Sequence, residues 1–275
     1  MQLQCAGRLL DLRSPQVMGV LNVTPDSFSD GGRCLAPSDA LRAAEQMIAA
    51  GAAIIDVGGE STRPGATPIS AAEEIRRVEP VLRELIRSDI LVSLDSSKPE
   101  VIELGLALGV HLINDVRALR LPGALAVAAR SDAAICLMHM QGEPTSMQKS
   151  PSYGDVVQEL RDFFAERLAA CRAAGVAAER VVLDPGFGFG KTLTHNLELL
   201  RRLPELAELG APLLVGLSRK SMLQALTGQP VEQRLAGSLA LALAAVEGGA
   251  RIIRVHDVAE TVDALKVWQA FRRPE

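Results

Sequence analysis

Acidic and amide side chains that could bind a polar heterocycle follow short apolar runs of the chain. Asp95, Asn114 and Asp184 each stand at the end of such a run. Two carboxylates and one amide together offer hydrogen-bond acceptors and donors in one small space. That set suits a flat heterocycle with N–H donors and acceptors along its edge, such as an aminopyrimidinone. We therefore predict that these three residues bind such a ring.

A second set of side chains suits phosphate oxygens. Arg63, Arg254 and His256 can donate charge-assisted hydrogen bonds, and backbone N–H groups near Thr62 could bind the same anion. The net charge of −4 over 275 residues argues against a dedicated nucleic-acid-binding protein. A small anion can still bind in a locally cationic pocket. We expect Arg63, Lys220, Arg254 and His256 to form such a cationic cluster.

Aromatic residues make up only 3% of the chain, so those in loops are informative. Phe187 and Phe189 lie in a glycine-rich segment after Asp184, and Phe28 follows the first apolar run. Stacking against a ligand and simple loop packing both fit these positions. The segment ends in Gly-Phe-Gly-Phe-Gly-Lys, which lacks the spacing of a P-loop or of a dinucleotide fingerprint. It therefore gives little support to a nucleotide-binding fold.

Eight runs rich in Val, Ile and Leu precede the polar positions, with helical periodicity between them. Near-continuous apolar character is typical of parallel strands that are covered on both faces. The predicted strands are Val17–Val23, Ala53–Val57, Leu91–Asp95, His111–Val116, Ala133–His139, Val181–Pro185, Pro212–Ser218 and Arg251–His256. Eight strand–helix units predict an α/β fold, a (β/α)8 TIM barrel, with an open doubly wound sheet as the main alternative.

We predict a single domain over residues 1–275, which consists of the barrel over residues 17–275 and a lead of residues 1–16 that we expect to cover the bottom of the barrel. Helices are expected over about Tyr153–Ala174 and Asn196–Leu209, each followed by glycine. Active-site residues of such barrels lie at the C-terminal ends of the strands. Every predicted strand ends in polar residues there. For Asp56 and Asp115 a helix N-cap role remains equally open.

Composition excludes several classes of protein. Hydrophobic residues make up 48% and charged residues 23%, as in an ordinary soluble protein. The longest strongly apolar stretch, Leu235–Val246, is too short to span ~30 Å of hydrocarbon, and Arg8 and Asp11 interrupt any signal-peptide core. The four cysteines are widely spaced without a CxxC pair, which favours reduced thiols in the cytoplasm.

The polar segments, in their order along the chain, resemble the dihydropteroate synthase family. The resemblance covers about residues 17 to 258 and departs from the family pattern at Ser96-Ser97 and Met222. It is carried by Met18–Gly32, Asp56–Gly65, Asn114–Val116, Leu137–Gln141, Leu183–Lys191, Ser218–Lys220 and Arg254–Val258. It implies a cytoplasmic, usually dimeric TIM-barrel enzyme that joins p-aminobenzoate to 6-hydroxymethyl-7,8-dihydropterin diphosphate with Mg²⁺ and releases pyrophosphate.

Matching positions carry the roles that the resemblance implies. Asp95, Lys220 and Arg63 are expected to be catalytic, with Asp95 offsetting positive charge on the pterin and Arg63 closing over the site. Ser218 and Phe187 are expected beside p-aminobenzoate, and the remaining roles fall to three groups of residues. Asp95, Asn114, Asp184 and Lys220 would contact the pterin, Thr62, Arg254 and His256 the diphosphate, and Asn22 the metal.

Three other functions fit parts of the pattern. A pterin-dependent methyltransferase would share the pterin carboxylates, but it would not need Thr62, Arg254 and His256 for a diphosphate. A non-catalytic pterin-binding paralogue would keep the ring contacts without turnover. Lys220 could instead form a Schiff base, which requires a desolvated amine. Arg219, directly before it, is expected to face outward in a structural ion pair.

Overall fold

The computed structural model describes residues 1–24, 37–62, 65–143 and 146–272. Its strands are β1 (Gln2–Cys5), β2 (Arg8–Asp11), β3 (Gln16–Asn22), β4 (Ile54–Gly58), β5 (Leu91–Asp95), β6 (Leu112–Asp115), β7 (Ala134–Met138), β8 (Val181–Asp184), β9 (Leu213–Val215) and β10 (Ala250–Val255). Its α-helices are α1 (Pro37–Ala49), α2 (Ala71–Leu85), α3 (Pro99–Leu108), α4 (Ala124–Ala129), α5 (Val156–Ala173), α6 (Leu193–Arg201), α7 (Leu203–Ala207), α8 (Ser221–Thr227), α9 (Leu235–Glu247) and α10 (Val258–Arg272).

Strands β3 to β10 close into a barrel in the order β10-β3-β4-β5-β6-β7-β8-β9. All neighbouring pairs are parallel, and each of the eight strands is followed by at least one helix. The helices and the outward faces of the strands enclose the larger apolar cluster of the protein. This architecture confirms the predicted (β/α)8 fold and excludes the open sheet.

The interior of the barrel changes from apolar to polar along its axis. Successive side chains of a strand point to opposite faces, so residues two apart share the interior. Toward the N-terminal ends these positions are apolar and form one buried cluster: Met18, Ile54, Leu91, Leu112, Cys136, Val182, Leu214 and Ile252. Two residues further along their strands stand Asp56, Ser93, Asn114, Asp184 and Arg254. The alternation of side chains along the strands therefore places the polar site next to this apolar cluster, on the side of the C-terminal strand ends.

Residues 1–16 contain an antiparallel hairpin of β1 and β2. Leu3, Leu10 and Leu12 of this lead pack into the interior apolar cluster, and the backbone N–H of Ala6 donates to the carbonyl oxygen of Asp132 at 2.8 Å. The hairpin thus covers the N-terminal end of the barrel, opposite the polar site.

Helix boundaries differ from expectation at one place. The segment predicted as a single helix over residues 196–209 forms α6 and α7, which meet at Arg202. Pro204 lies in the first turn of α7, where its missing N–H group needs no intrahelical partner. The described part of the chain includes no helix of the length and apolar character that crossing a bilayer requires.

Candidate active site

Three residues of the predicted site and Gly58 are neighbours across strands β3 to β6. The strand register pairs Asn22 with Gly58, Gly58 with Asp95, and Asp95 with Asn114. A Cβ atom at Gly58 would lie 3.6 Å from Asn22 Oδ1 and from Asp95 Cβ. The missing side chain therefore leaves room between the amide and the carboxylate at the barrel mouth.

Arg254 lies between two carboxylates inside the barrel. Its Nε donates to Asp56 Oδ2 at 2.6 Å, and its Nη2 donates to Asp95 Oδ2 at 2.7 Å. Burial opposes the charge of the guanidinium, but Asp56 and Asp95 together raise the pKa of Arg254. The sequence led us to expect a free phosphate-binding cation here. Its charge is instead already balanced, and Nη1 is the nitrogen outside these two ion pairs.

The ring-binding carboxylates lie in a dry environment. Burial raises the pKa of Asp95, against the opposing effect of Arg254. Burial also raises the pKa of Asp184, although the N–H of Gly186 donates to its Oδ1 at 2.8 Å. Each carboxylate is therefore short of hydrogen-bond donors, and a ligand that brings N–H groups would stabilise its ionised form.

Lys220 faces an aromatic ring at the barrel mouth. Its Nζ lies 4.3 Å from the ring centroid of Phe189, and burial lowers the pKa of Lys220 to about 8. Phe187, which was expected beside a substrate, is only 1% exposed and packs in the outer core cluster. The aromatic wall next to the ammonium therefore belongs to Phe189. Arg219 pairs with Asp257, as predicted.

Ser218 and His256 form a pair at the ends of adjacent strands. The backbone N–H of His256 donates to Ser218 Oγ at 3.2 Å, and that oxygen lies 3.1 Å from His256 Nδ1. Burial and the nearby Arg254 lower the pKa of His256 to about 4. The expected imidazolium is therefore a neutral ring near pH 7. If the hydroxyl donates to Nδ1, the ring proton is on Nε2, where it can donate to an anion.

Seven of the predicted residues line one cavity at the mouth of the barrel. They are Thr62, Asp95, Asn114, Asp184, Phe187, Lys220 and Arg254, together with Phe189. Asn22, Ser218 and His256 are not among the residues that line this cavity. Arg63, Phe28 and Cys34 lie outside the described residues, while Cys5, Cys136 and Cys171 are buried free thiols.

The structure decides between the two roles that remained open for Asp56 and Asp115. Asp56 is completely buried in the barrel interior and accepts hydrogen bonds from the side chains of Ser93, Asn114 and Arg254. Asp115 accepts from the backbone N–H groups two and four residues on, at 2.8 and 2.7 Å. Asp56 is therefore a site residue, whereas Asp115 stabilises the turn that follows β6.

A buried lysine that sequence reasoning left without a role fixes the aromatic loop. Lys191 Nζ lies 2.9 Å from His139 Nδ1 and donates to the carbonyl oxygens of Gly186 and Phe189 at 3.0 and 3.2 Å. Burial lowers the pKa of Lys191 to about 7. Gly186 has φ +65°, and a Cβ there would lie 1.9 Å from the carbonyl oxygen of His139. The loop is thus held against the end of β7.

The donor atoms at the mouth are compatible with a weakly ligated Mg²⁺ ion. Within the described ranges, no group of three or more His, Cys, Asp or Glu side chains could hold a metal. Mg²⁺ usually keeps several waters and binds through one or two protein oxygens and substrate phosphates. The half-buried amide of Asn22 offers such an oxygen beside Asp95. These residues therefore fit an ion that arrives with a phosphorylated ligand.

Comparisons with known proteins agree along nearly the whole chain. A model of the family described as pterin binding enzyme matches residues 18–256. The dihydropteroate synthase of Escherichia coli strain K12 is 54% identical over 271 residues, which cover 98% of this chain and 96% of that protein.

Two solved structures share the fold and about half of the sequence. Yersinia pestis dihydropteroate synthase in complex with a sulfonamide drug superposes with a TM-score of 0.94 at 52% identity, covering 99% of both chains. Burkholderia cenocepacia dihydropteroate synthase complexed with 7,8-dihydropteroate gives a TM-score of 0.91 at 50% identity, covering 98% of this chain and 96% of that one.

Proposed function

The chain belongs to the family of pterin-binding enzymes, and we propose from this premise how its residues carry out the dihydropteroate synthase reaction. It is a transferase that joins p-aminobenzoate to 6-hydroxymethyl-7,8-dihydropterin diphosphate and yields 7,8-dihydropteroate and pyrophosphate. The observation that carries this function is the 54% identity to a dihydropteroate synthase over 98% of the chain. The alternatives, a methyltransferase and a non-catalytic paralogue, find no support among these relatives.

The pterin ring is assigned to the inner part of the cavity. Asp184 accepts from ring N–H groups there, and Asn114 Oδ1 is a buried acceptor without a partner among the described residues. Lys220, protonated below its pKa of about 8, donates to an acceptor of the ring. These groups are held by strands or strand ends of the barrel, so little reorganisation is needed when the ring binds.

The diphosphate is assigned to Thr62, Arg254 and His256. In the reaction the C–O bond between the pterin methylene and the diphosphate breaks, and the amine nitrogen of p-aminobenzoate forms the new C–N bond and loses a proton. Arg254 Nη1 and a neutral His256 Nε2–H donate to the departing oxygens. Asp95 offsets the positive charge that develops on the pterin as the C–O bond lengthens.

We assign p-aminobenzoate to the side of the mouth formed by Ser218 and the loop that carries Phe187. Phe189, which faces Lys220, provides the ring surface of that loop. Arg63 is assigned to the closing side of the site because of the family resemblance. Sulfonamides, one of which is bound in the Yersinia pestis relative, are expected to compete with p-aminobenzoate for this position.

Asn22 would hold Mg²⁺ together with the diphosphate oxygens. When bound, the ion supplies positive charge that stabilises the leaving pyrophosphate. Replacement by alanine, Asn22→Ala, should weaken the binding of Mg²⁺ in the presence of pyrophosphate, as measured by calorimetry. Unchanged Mg²⁺ affinity in that titration would exclude Asn22 as a ligand.

We further propose a homodimer through the outer faces of α9 and α10. Ala236, Ala240 and Ala244 form an exposed small-residue stripe on α9. On the neighbouring α10, Val267 and Phe271 are 72% and 84% exposed. Light scattering should give twice the chain mass, and Phe271→Asp should shift the protein toward the monomer.

Free buried cysteines agree with a location in the cytoplasm, which cell fractionation would test.

Pyrophosphate release with both substrates tests the proposed function directly. We expect one pyrophosphate for each dihydropteroate formed, no release when p-aminobenzoate is omitted, and competitive inhibition by a sulfonamide. Measurable pterin binding without release would instead establish a non-catalytic binding protein.

A further inference from the structure

Asp56 controls the orientation of one amide in the site. It is fully buried, and its Oδ2 accepts from Asn114 Nδ2 at 3.1 Å and from Arg254 Nε at 2.6 Å. Its Oδ1 accepts from Ser93 Oγ at 2.5 Å. An ionised carboxylate is only an acceptor, and Arg254 is always a donor. The amide of Asn114 must therefore turn its nitrogen toward Asp56.

The oxygen end of this amide points away from Asp56. Asn114 is 3% exposed, and its Oδ1 is buried without a hydrogen-bond partner in the described part of the chain. Asn114 lines the same cavity as Asp95 and Asp184. A buried amide oxygen in such a place needs a donor from the ligand.

We propose that Asp56 is a positioning residue that, by binding Asn114 Nδ2, directs Asn114 Oδ1 into the cavity and makes the site select a 2-amino over a 2-oxo pteridine. This inference rests on the proposed function, because it takes the ring of the substrate to be a pterin. The 2-amino group is an N–H donor, whereas a 2-oxo group would place an acceptor among acceptors. A site built around a hydrogen bond rejects an analogue that lacks the donor, since buried groups are then left unpaired.

The geometry predicts different results for two replacements of Asp56. Asp56→Ala removes the acceptor, so Asn114 is free to present either end of its amide. Asp56→Asn keeps an amide oxygen at the Oδ2 position, because Arg254 Nε requires an acceptor there, and its new NH₂ group can donate to Ser93 Oγ. The orientation of Asn114 should therefore be lost in the first variant and kept in the second.

Calorimetry with 2-amino-4-oxopteridine and pteridine-2,4-dione provides the test. Neither compound carries a diphosphate, so the phosphate contacts of Arg254 are not measured. The wild-type protein should bind the amino compound at least about tenfold more tightly. Asp56→Ala should reduce this ratio about tenfold, which is the effect of one hydrogen bond. Asp56→Asn and the matched control Ser93→Ala should keep the ratio within about twofold.

Other results separate the possible failures. A wild-type protein that does not bind the amino compound contradicts the proposed function itself. A wild-type protein that binds both compounds equally, an alanine variant that weakens both by the same factor, or an asparagine variant that behaves like alanine overturns the role of Asp56. If Asp56→Ala does not fold, neutron diffraction of the wild-type complex with the amino compound decides. The hydrogens on Asn114 Nδ2 should include one that faces Asp56 Oδ2, with Oδ1 toward the 2-amino group, and an amide turned the other way would overturn the proposal.

Discussion

Replacement of Asp95 by asparagine tests the proposed electrostatic contribution to turnover. Asp95 Oδ2 accepts from Arg254 Nη2 at 2.7 Å. An asparagine oxygen can keep this hydrogen bond, so Asp95→Asn removes the negative charge while leaving Arg254 in place. The isosteric amide also leaves the shape of the cavity unchanged. The NH₂ group replaces the carboxylate oxygen that is open to a ring N–H, so pterin binding should weaken by about one hydrogen bond, which is roughly tenfold.

The effect on turnover follows from Coulomb's law. A full positive charge about 4 Å from a carboxylate is stabilised by about 4 kcal/mol at an effective dielectric constant of about 20. Arg254 already balances part of the charge of Asp95, which reduces this to about 2–4 kcal/mol. Because burial raises the pKa of Asp95 to about 7, this figure applies at about pH 8, where the carboxylate is ionised. Since each 1.36 kcal/mol changes a rate tenfold, kcat should fall about 30- to 1000-fold.

Two measurements on the same variant separate charge from binding. Single-turnover pyrophosphate release gives the rate of the chemical step, and calorimetry gives the affinity for the pterin. Asp263→Asn is the matched control, because it removes the charge of a 77% exposed aspartate on α10. That control should change neither quantity by more than about twofold. Equal losses of rate and affinity in Asp95→Asn would refute the proposed role.

Three further predictions concern stability and pH dependence. Lys98→Met leaves the buried Glu74 without the ammonium that lies 2.5 Å away. The free energy of unfolding, measured in urea, should therefore fall by about 3 kcal/mol. The control Lys266→Met, in an exposed ion pair, should lower it by less than about 0.5 kcal/mol. Burial lowers the pKa of Lys220 to about 8, so kcat/KM should decline above pH 8 as the ammonium is lost. Lys220→Arg should move that decline beyond pH 10, and an unmoved decline would contradict the assignment. Gly186 has φ +65°, and the Cβ of an alanine there would lie 1.9 Å from a backbone oxygen. Gly186→Ala should therefore lower the free energy of unfolding in urea by more than about 3 kcal/mol, or shift the loop in a crystal structure.

The barrel was predictable because its strands are nearly continuous in apolar character and its helices carry local end signals. The break between α6 and α7 was missed because apolar periodicity continues through Pro204, which is tolerated in a first helical turn. The hairpin of residues 1–16 was missed for another reason. Its two four-residue strands become stable only when they pack on the barrel, and a short window of sequence does not contain that contact.

The site was predictable in position but not in charge. A parallel barrel brings the strand ends together, so Asp95, Asn114 and Asp184 could be grouped without coordinates. The protonation of His256 depends on burial and on Arg254, which sequence spacing does not encode. Phe187 packs in the core and also borders the cavity, whereas Phe189 faces Lys220. Their different surroundings depend on the course of a glycine-rich loop, which neither the strand period nor the helix period predicts.

The electrostatic balance of the mouth explains why the anionic leaving group needs partners beyond the described cations. Two carboxylates already compensate Arg254, and His256 is neutral near pH 7 because its pKa is lowered to about 4. Lys220 faces the ring of Phe189, and its ammonium interacts with Asp184 and Asp95 as well as with Arg254. Among these groups three carboxylates therefore face two cations. The polar mouth is thus organised to stabilise a cationic pterin more than a free diphosphate. In the proposed function, a divalent ion at Asn22 and the side chain of Arg63 would supply further positive charge when the substrate binds. This charge would stabilise the leaving pyrophosphate in the transition state, where the carboxylates stabilise the cationic pterin.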